Sequence, residues 1–361
     1  MNIDNQKIKL EDMGYSEFFK NKRIAVTDKN LISARIIAEH RESYILRSEL
    51  SKYSAKITGK MMFTASSRED YPAVGDWILI KPVDKEQAVI HEILPRRTVL
   101  KRKSAGKTDV QIIASNIDVA FIVQSPDRDY SLNRFERYFS LAESGRIKPA
   151  VVLNKIDLIE ESELEYIIYE LRDRFKDINI YTTSTVTGNG IADLNKDIKR
   201  GLTYCFLGSS GVGKSSIINR LIGENLIKTG KISSHTNRGR HITTHRQVFM
   251  LNNGGLLIDN PGMREIGVLD SKTGIKSVFS EIQELSKNCK FSDCTHTHEP
   301  GCAVLEAIKS GDLDESKYEN YLKLEKENEF NTMTRIEKRQ KDREFGKFIK
   351  KAKKQIKKYK F

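Results

Sequence analysis

Gly208-Ser209-Ser210-Gly211-Val212-Gly213-Lys214-Ser215, continued by Ser216, combines glycines, small hydroxyls and one lysine at the spacing of a phosphate-binding loop. The apolar run Tyr204 to Leu207 reads as a strand before it, and residues 214–222 read as a helix after it. Such glycines let successive backbone N–H groups turn toward phosphate oxygens, and the helix N-terminus adds a favourable dipole. Lys214 is then expected on the β and γ phosphates as a catalytic cation, and the Ser215 hydroxyl on Mg²⁺.

Two further clusters gain meaning beside that loop. Asp259-Asn260-Pro261-Gly262 ends the apolar strand Leu256 to Ile258, placing an acid where it reaches Mg²⁺ and a glycine N–H where it senses a γ-phosphate. Asn154-Lys155-Ile156-Asp157 follows the strand Ala150 to Leu153. The Asp157 carboxylate accepts two hydrogen bonds, which suits the ring N–H and exocyclic amine of guanine and not adenine. The expected nucleotide is therefore GTP or GDP. Lys155 would pack along the base, Asn154 would tie this loop to the phosphate loop, and Thr183-Ser184 would add base contacts.

The order of these motifs is unusual: the base-reading cluster at 154 precedes the phosphate loop at 208, and the Mg²⁺ acid at 259 comes last. Permutation preserves a site when the original ends lay close together. It also places the segment after Asp259, which should follow the γ-phosphate state, directly ahead of the C-terminal region. Between the phosphate loop and Asp259 lies Asn237-Arg-Gly-Arg240-His241-Ile242-Thr243-Thr244, where a first switch belongs, and one of Thr243 and Thr244 is expected on Mg²⁺. Met263 stands where many GTPases carry a water-orienting glutamine, and an apolar side chain cannot do that work.

Cys289-x4-Cys294-x-His296-x5-Cys302 supplies three thiolates and an imidazole, a donor set that suits one structural Zn²⁺ with no open position for water. His298 is an alternative ligand. Cys205, alone in an apolar run, reads as a small buried hydrophobe.

The elements that must position these groups follow from the apolar patterning. Short alternating runs between Ser33 and Val99 suggest a small β-barrel. From Ile117, strands at Val119 to Val123, Ala150 to Leu153, Ile178 to Tyr181, Tyr204 to Leu207, Gln247 to Leu251 and Leu256 to Ile258 alternate with helices near 131–144, 162–174 and 214–222. That alternation predicts an α/β domain with a largely parallel sheet. Helices are expected near 275–287, 302–310 and 315–350. The expected division is an N-terminal arm over 1–30, a barrel over 31–99, a linker over 100–116, the nucleotide domain over 117–272, a zinc-binding helical domain over 273–334 and a basic helical tail over 335–361.

The net charge of +13 is concentrated in that tail, where thirteen Lys or Arg face three acidic residues between Arg335 and Phe361. Helically spaced apolar residues, among them Phe345, Ile349 and Ile356, make it a basic amphipathic helix suited to RNA or an anionic surface. No apolar run approaches the roughly 20 residues of a membrane span, and the beginning, Met1-Asn2-Ile3-Asp4, shows no secretory pattern. A cytoplasmic protein without stable membrane association is expected, and nothing calls for more than a monomer.

The permuted order, together with Val74-Gly75-Asp76-Trp77 and Cys289-Lys-Phe-Ser-Asp293-Cys294-Thr-His296, resembles the ribosome small-subunit-dependent GTPase A (RsgA) family over about residues 10–330. The resemblance implies a multidomain chain with an N-terminal OB-fold, a circularly permuted α/β P-loop GTPase and a C-terminal α-helical zinc-binding domain. It implies GTP hydrolysis stimulated by the 30S subunit, late in its maturation, with 16S rRNA as a partner, and it makes His241 the candidate for positioning water. Two other readings fit the residues alone: a GTP-gated RNA-binding switch with incidental hydrolysis, and a peripheral membrane GTPase recruited by the tail.

Overall fold

In the computed structural model the described residues are 8–40, 43–103, 110–127, 130–223, 246–259 and 272–358. Near the N-terminus, a 3-10 turn at Leu10–Met13 and helix α1 (Glu17–Ile24) lead into five strands: β1 (Ile32–Glu39), β2 (Tyr44–Ser48), β3 (Lys52–Ile57), β4 (Trp77–Pro82) and β5 (Gln87–Ile93). These pair in the order β1-β2-β3-β5-β4, and β4 returns to β1, so the sheet closes into the expected OB-type barrel. The period-2 alternation is plain in β3, where Tyr53 and Ala55 are buried and Lys52, Ser54 and Lys56 face water. A short helix, α2 (Gly59–Thr64), capped by the Thr58 hydroxyl on the Met61 N–H, connects β3 toward β4.

Val74-Gly75-Asp76-Trp77 proves to be a structural hub. Asp76 is fully buried and accepts Arg96 Nε and Nη2 at 2.8 and 2.7 Å, the Ala73 N–H at 2.8 Å and the Ser115 hydroxyl. Gly75 has φ +94° and passes so close to Ser115 that a Cβ would lie 2.2 Å from its carbonyl oxygen. Trp77 is sealed under Tyr15 and Phe19 of the N-terminal segment. The fully buried Arg35 donates to the Met13, Gly75 and Asn116 carbonyls and to Thr203 Oγ1, pinning N-terminal segment, barrel and α/β region at one point.

The stretch read as a linker over 100–116 instead contributes to an antiparallel pair, β6 (Val99–Lys103) and β7 (Val110–Ser115). Leu100, Ile112 and Ile113 are buried, so its apolar positions belong to the core despite the Lys101-Arg102-Lys103 run.

The α/β region contains β8 (Val119–Gln124), α3 (Leu132–Ser144), β9 (Lys148–Asn154), α4 (Glu161–Arg174), β10 (Ile180–Thr183), α5 (Ile191–Asp197), β11 (Thr203–Leu207), α6 (Lys214–Ile222), β12 (Arg246–Met250) and β13 (Leu256–Asp259). The spatial order is β10-β9-β8-β11-β13-β12, parallel except for β12. The central strands β8, β9 and β11 are mostly apolar and buried, as a sheet covered on both faces demands. The sheet does not stop at β12. It pairs antiparallel with the end of β1 through Ala38–Gln247 and Glu39–Arg246, so barrel and α/β sheet share one hydrogen-bonded surface.

The C-terminal region is helical: α7 (Lys272–Val278), α8 (Ser280–Ser286), α9 (Ala303–Ser310), α10 (Glu315–Thr332) and α11 (Arg335–Lys358). The single helix expected over 315–350 is two, because the chain turns extended at Met333 and the Thr334 hydroxyl takes up the Glu337 N–H. Ile275, Phe279, Ile282, Val304 and Leu324 form the core of this region. It is seated on α3: a Cβ on Gly274 would lie 1.9 Å from the Ser140 carbonyl oxygen, and Arg137 pairs in fork geometry with Glu327 at 2.5 and 2.6 Å. No helix among the described residues is long and apolar enough to cross a membrane.

Candidate functional site

The phosphate loop runs from the end of β11 to the start of α6, at the C-terminal edge of the parallel sheet where such folds bind ligands. Gly208, Gly211 and Gly213 all have positive φ. Gly208 crosses β8 so tightly that a Cβ would meet the Val123 carbonyl at 2.2 Å, so only glycine serves there. Lys214 Nζ folds back over the loop, donating to the carbonyls of Gly208 (2.7 Å) and Ser209. Ser210 Oγ is buried with no hydrogen-bond partner among the described residues. Ser215 and Ser216 are half-buried in the first turn of α6.

Asp259 ends β13 on the same edge. Its Oδ2 is buried without a hydrogen-bond partner among the described residues. Burial pushes the carboxyl up to about 6, against the pull of the Lys214 ammonium. A buried carboxylate oxygen left unsatisfied near a phosphate loop is what a hard divalent cation would complete, so these donors fit Mg²⁺.

The base-reading segment closes the site from the other side. Asn154, fully buried at the end of β9, donates from Nδ2 to the Val212 carbonyl at 2.8 Å and accepts the Thr183 hydroxyl at 3.0 Å. Gly213 leaves room for that amide, since a Cβ there would lie 2.2 Å from Nδ2. Lys155 adopts the left-handed conformation at φ +67°, which turns the chain so that Asp157 follows in a 3-10 turn. Asp157 accepts the Ser184 hydroxyl, which in turn receives the Val186 and Thr187 N–H groups. Sequence reasoning missed Asp127, whose carboxylate lies 3.6 Å from Lys155 Nζ. Its place just past the C-terminal end of β8 was the available signal.

The structure thus brings Asn154, Lys155, Asp157, Ser184, residues 208–216 and Asp259 to one sheet edge. His241, Thr243, Thr244 and Gly262 lie outside the described residues.

A second centre lies in the helical region. The ligand atoms of Cys289, Cys294, His296 and Cys302 all fall within 4.8 Å of one another. His296 Nδ1 is 3.5 Å from the sulfurs of Cys289 and Cys302, which are 3.9 Å apart. Tetrahedral thiolates at the usual Zn–S length of about 2.3 Å would stand roughly 3.8 Å apart, so the donor set and its spacing fit a metal ion. His296 takes φ +60°, and its carbonyl accepts the Tyr318 hydroxyl, which fixes the imidazole over the cluster. His298 is exposed and is bonded to Thr297 Oγ1 instead.

A family model described as RsgA GTPase matches residues 93–269. The "Small ribosomal subunit biogenesis GTPase RsgA 1" of Bacteroides thetaiotaomicron is 38% identical over 356 residues, covering 98% of this chain and 99% of that protein. The chain belongs to the RsgA GTPase family. It is a GTPase, with its motifs in permuted order. The RsgA protein of Opitutus terrae is 37% identical over 329 residues, 88% of this chain and 89% of its own. A second family model, described as 50S ribosome-binding GTPase, matches residues 203–355. Among solved structures, YjeQ from Thermotoga maritima aligns with TM-score 0.60 and 27% identity over 81% of this chain and 97% of its own. YloQ, described as a circularly permuted GTPase, shares the fold at TM-score 0.60 and 24% identity over 85% of this chain and 98% of its own.

Proposed function

We propose that this GTPase acts on the small ribosomal subunit in late maturation, that the 30S particle stimulates its hydrolysis of GTP to GDP and phosphate, and that hydrolysis governs release. The observation carrying this reading is the full-length likeness to a protein named for small ribosomal subunit biogenesis, at 38% identity. Barrel, cysteine-containing helical region and tail would supply contacts to 16S rRNA, and the division at about 31–99, 117–272, 273–334 and 335–361 is proposed on that basis. A cytoplasmic monomer suffices for this task.

In this mechanism Asp157 reads guanine, with Ser184 holding its carboxylate and Asn154 locking the base loop to the phosphate loop. Nucleotide entry requires Lys214 to exchange its bonds to the loop carbonyls for bonds to the β and γ phosphates. Ser215, Asp259 and one of Thr243 and Thr244 would hold Mg²⁺, which when bound neutralises charge developing on the phosphoryl oxygens. Loop N–H groups at Gly208 to Gly213 and Lys214 are preorganised donors for the same charge. With Met263 in the glutamine position, His241 is assigned to orient the attacking water, so intrinsic turnover is slow. Cys289, Cys294, His296 and Cys302 would hold a structural zinc, and Gly262 would sense the γ-phosphate.

Co-sedimentation with purified small and large subunits, with a GTP analogue and with GDP, tests the partner. Analogue-dependent pelleting with small subunits alone is expected, and equal pelleting with both subunits would refute the assignment.

A further inference from the structure

The turn that follows β10 carries a contact that the nucleotide motifs leave unexplained. Arg220, exposed on α6, donates from both Nε and Nη2 to the Thr185 carbonyl, at 3.2 and 2.8 Å. A carbonyl at the surface can be hydrated, so this contact is not needed to satisfy it; what a planar guanidinium adds is position. Helix α6 begins at the phosphate loop, and Lys214 and Arg220 lie on it about 9 Å apart along the axis, at roughly 1.5 Å per residue. The base loop is thus tied to the phosphate-loop element through Asn154 on Val212 and again through Arg220 on Thr185.

The neighbouring groups of the turn are already bonded. The Ser184 N–H donates to the Asn189 carbonyl at 3.0 Å, and the Gly188 N–H donates to the Ser184 carbonyl at 2.9 Å. The Val186 and Thr187 N–H groups both donate to Ser184 Oγ, whose own hydrogen goes to the Asp157 carboxylate. Among the described residues the Thr185 N–H has no acceptor. Both peptides beside Thr185 are nonetheless pinned. The first is held by its carbonyl, on Ser184, which in a trans peptide turns the Thr185 N–H to the opposite side. The second is held at both ends, by Ser184 Oγ on the Val186 N–H and by Arg220 on the Thr185 carbonyl. A fixed backbone donor therefore follows directly on the serine that orients the Asp157 acceptor. Guanine offers its O6 carbonyl at the position where adenine offers an amine. The Thr185 donor matches the first and meets the second donor to donor.

We propose that Arg220 is a specificity-positioning residue: by holding the Thr185 carbonyl it fixes the turn in which the Thr185 N–H meets O6 of the bound guanine. It acts through Thr185 rather than on the nucleotide itself. The inference rests on the guanine-binding reading of this sheet edge, and the atoms of the base assigned to Thr185 and to Asp157 differ, so the two can be tested apart.

The test uses the full chain at neutral pH and competition binding of GDP against two analogues. In 6-thioguanosine diphosphate sulfur replaces O6; inosine diphosphate keeps O6 and lacks the amine. Wild type should prefer GDP over the thio analogue by about fivefold or more and over the inosine analogue by about tenfold or more. Arg220→Ala, which suits an exposed helix position, should bring the first preference down to about twofold or less and leave the second within about twofold of wild type. An unchanged first preference in R220A overturns the proposal. So does a parallel loss of both preferences, the mark of a general support for the loop, and so does a wild type that binds the thio analogue as tightly as GDP. Absence of the inosine preference in wild type is read separately: it strikes the assignment of Asp157 and leaves the thio comparison to decide the role of Arg220.

Discussion

Arg246 Nη1 lies 2.8 Å from the Glu39 carboxylate, and the same two residues are register partners across β12 and β1. The strand that follows residues 224–245, where Thr243 and Thr244 belong, is thereby fastened to the barrel by both backbone and side chain. Replacing Arg246 with Ala removes a part-buried ion pair while leaving the nucleotide donors in place. The ratio of small-subunit affinities with GTP analogue and with GDP should shrink about fivefold, measured by co-sedimentation; a wild-type ratio would show that nucleotide state reaches the barrel by another route.

Asn154→Ala should weaken GDP binding roughly five- to hundredfold, since the lost amide leaves the buried Val212 carbonyl and Thr183 hydroxyl without their partner, a cost of about 1–3 kcal/mol. Gly213→Ala should act in the same direction by displacing that amide. Titration with a fluorescent GDP analogue decides this, and unaltered affinity in N154A would separate the two loops.

Asp157→Asn exchanges one acceptor of the base-reading pair for a donor. GTP affinity should fall about a hundredfold and xanthosine triphosphate affinity should rise, because xanthine carries a carbonyl where guanine carries its amine. Competition binding with the two triphosphates checks it. Retained preference for GTP would remove Asp157 from base recognition.

Acid should weaken Mg²⁺-dependent nucleotide binding. Burial raises the Asp259 carboxyl to about 6 in the nucleotide-free protein, so as pH falls through 6 the group becomes protonated and a cation must displace that proton. Affinity for GDP with Mg²⁺ should drop up to about tenfold per pH unit below this point, and Asp259→Asn should flatten the profile. A profile identical in both proteins would exclude Asp259 as the titrating group.

Removing metal with a strong chelator should release one zinc per chain, read by elemental analysis, and lower the melting temperature of the helical region. Cys289, Cys294, His296 and Cys302 otherwise leave four donors crowded within 4.8 Å without a common partner. Cys294→Ser should contain less than one zinc per chain, and a full complement would contradict the ligand set.

Local chemistry was legible in the sequence and distant pairing was not. The glycine spacing of 208–213 and the alternation of strands and helices after Ile117 are short-range signals, and the fold follows them. The barrel was legible from its alternating runs between Ser33 and Val99, and the burial of β3 follows that alternation. The β6–β7 pair was hidden because its basic residues look like linker composition, while the apolar positions that bury it become visible only when the barrel and α3 are packed around them. The break between α10 and α11 was hidden by continuous helical propensity, and Thr334 acts as a cap only because the chain turns there. Nothing in the order of residues announces that Glu39 meets Arg246 or that Asp127 meets Lys155, since both depend on which strands the fold makes neighbours.

The central claim is tested most directly by steady-state GTP hydrolysis of the purified full chain alone, with 30S subunits and with 50S subunits, with ATP as the nucleotide control. The account predicts slow GTP turnover alone, a large increase with 30S subunits only and no comparable ATP hydrolysis. Equal GTP turnover in all three conditions would contradict it.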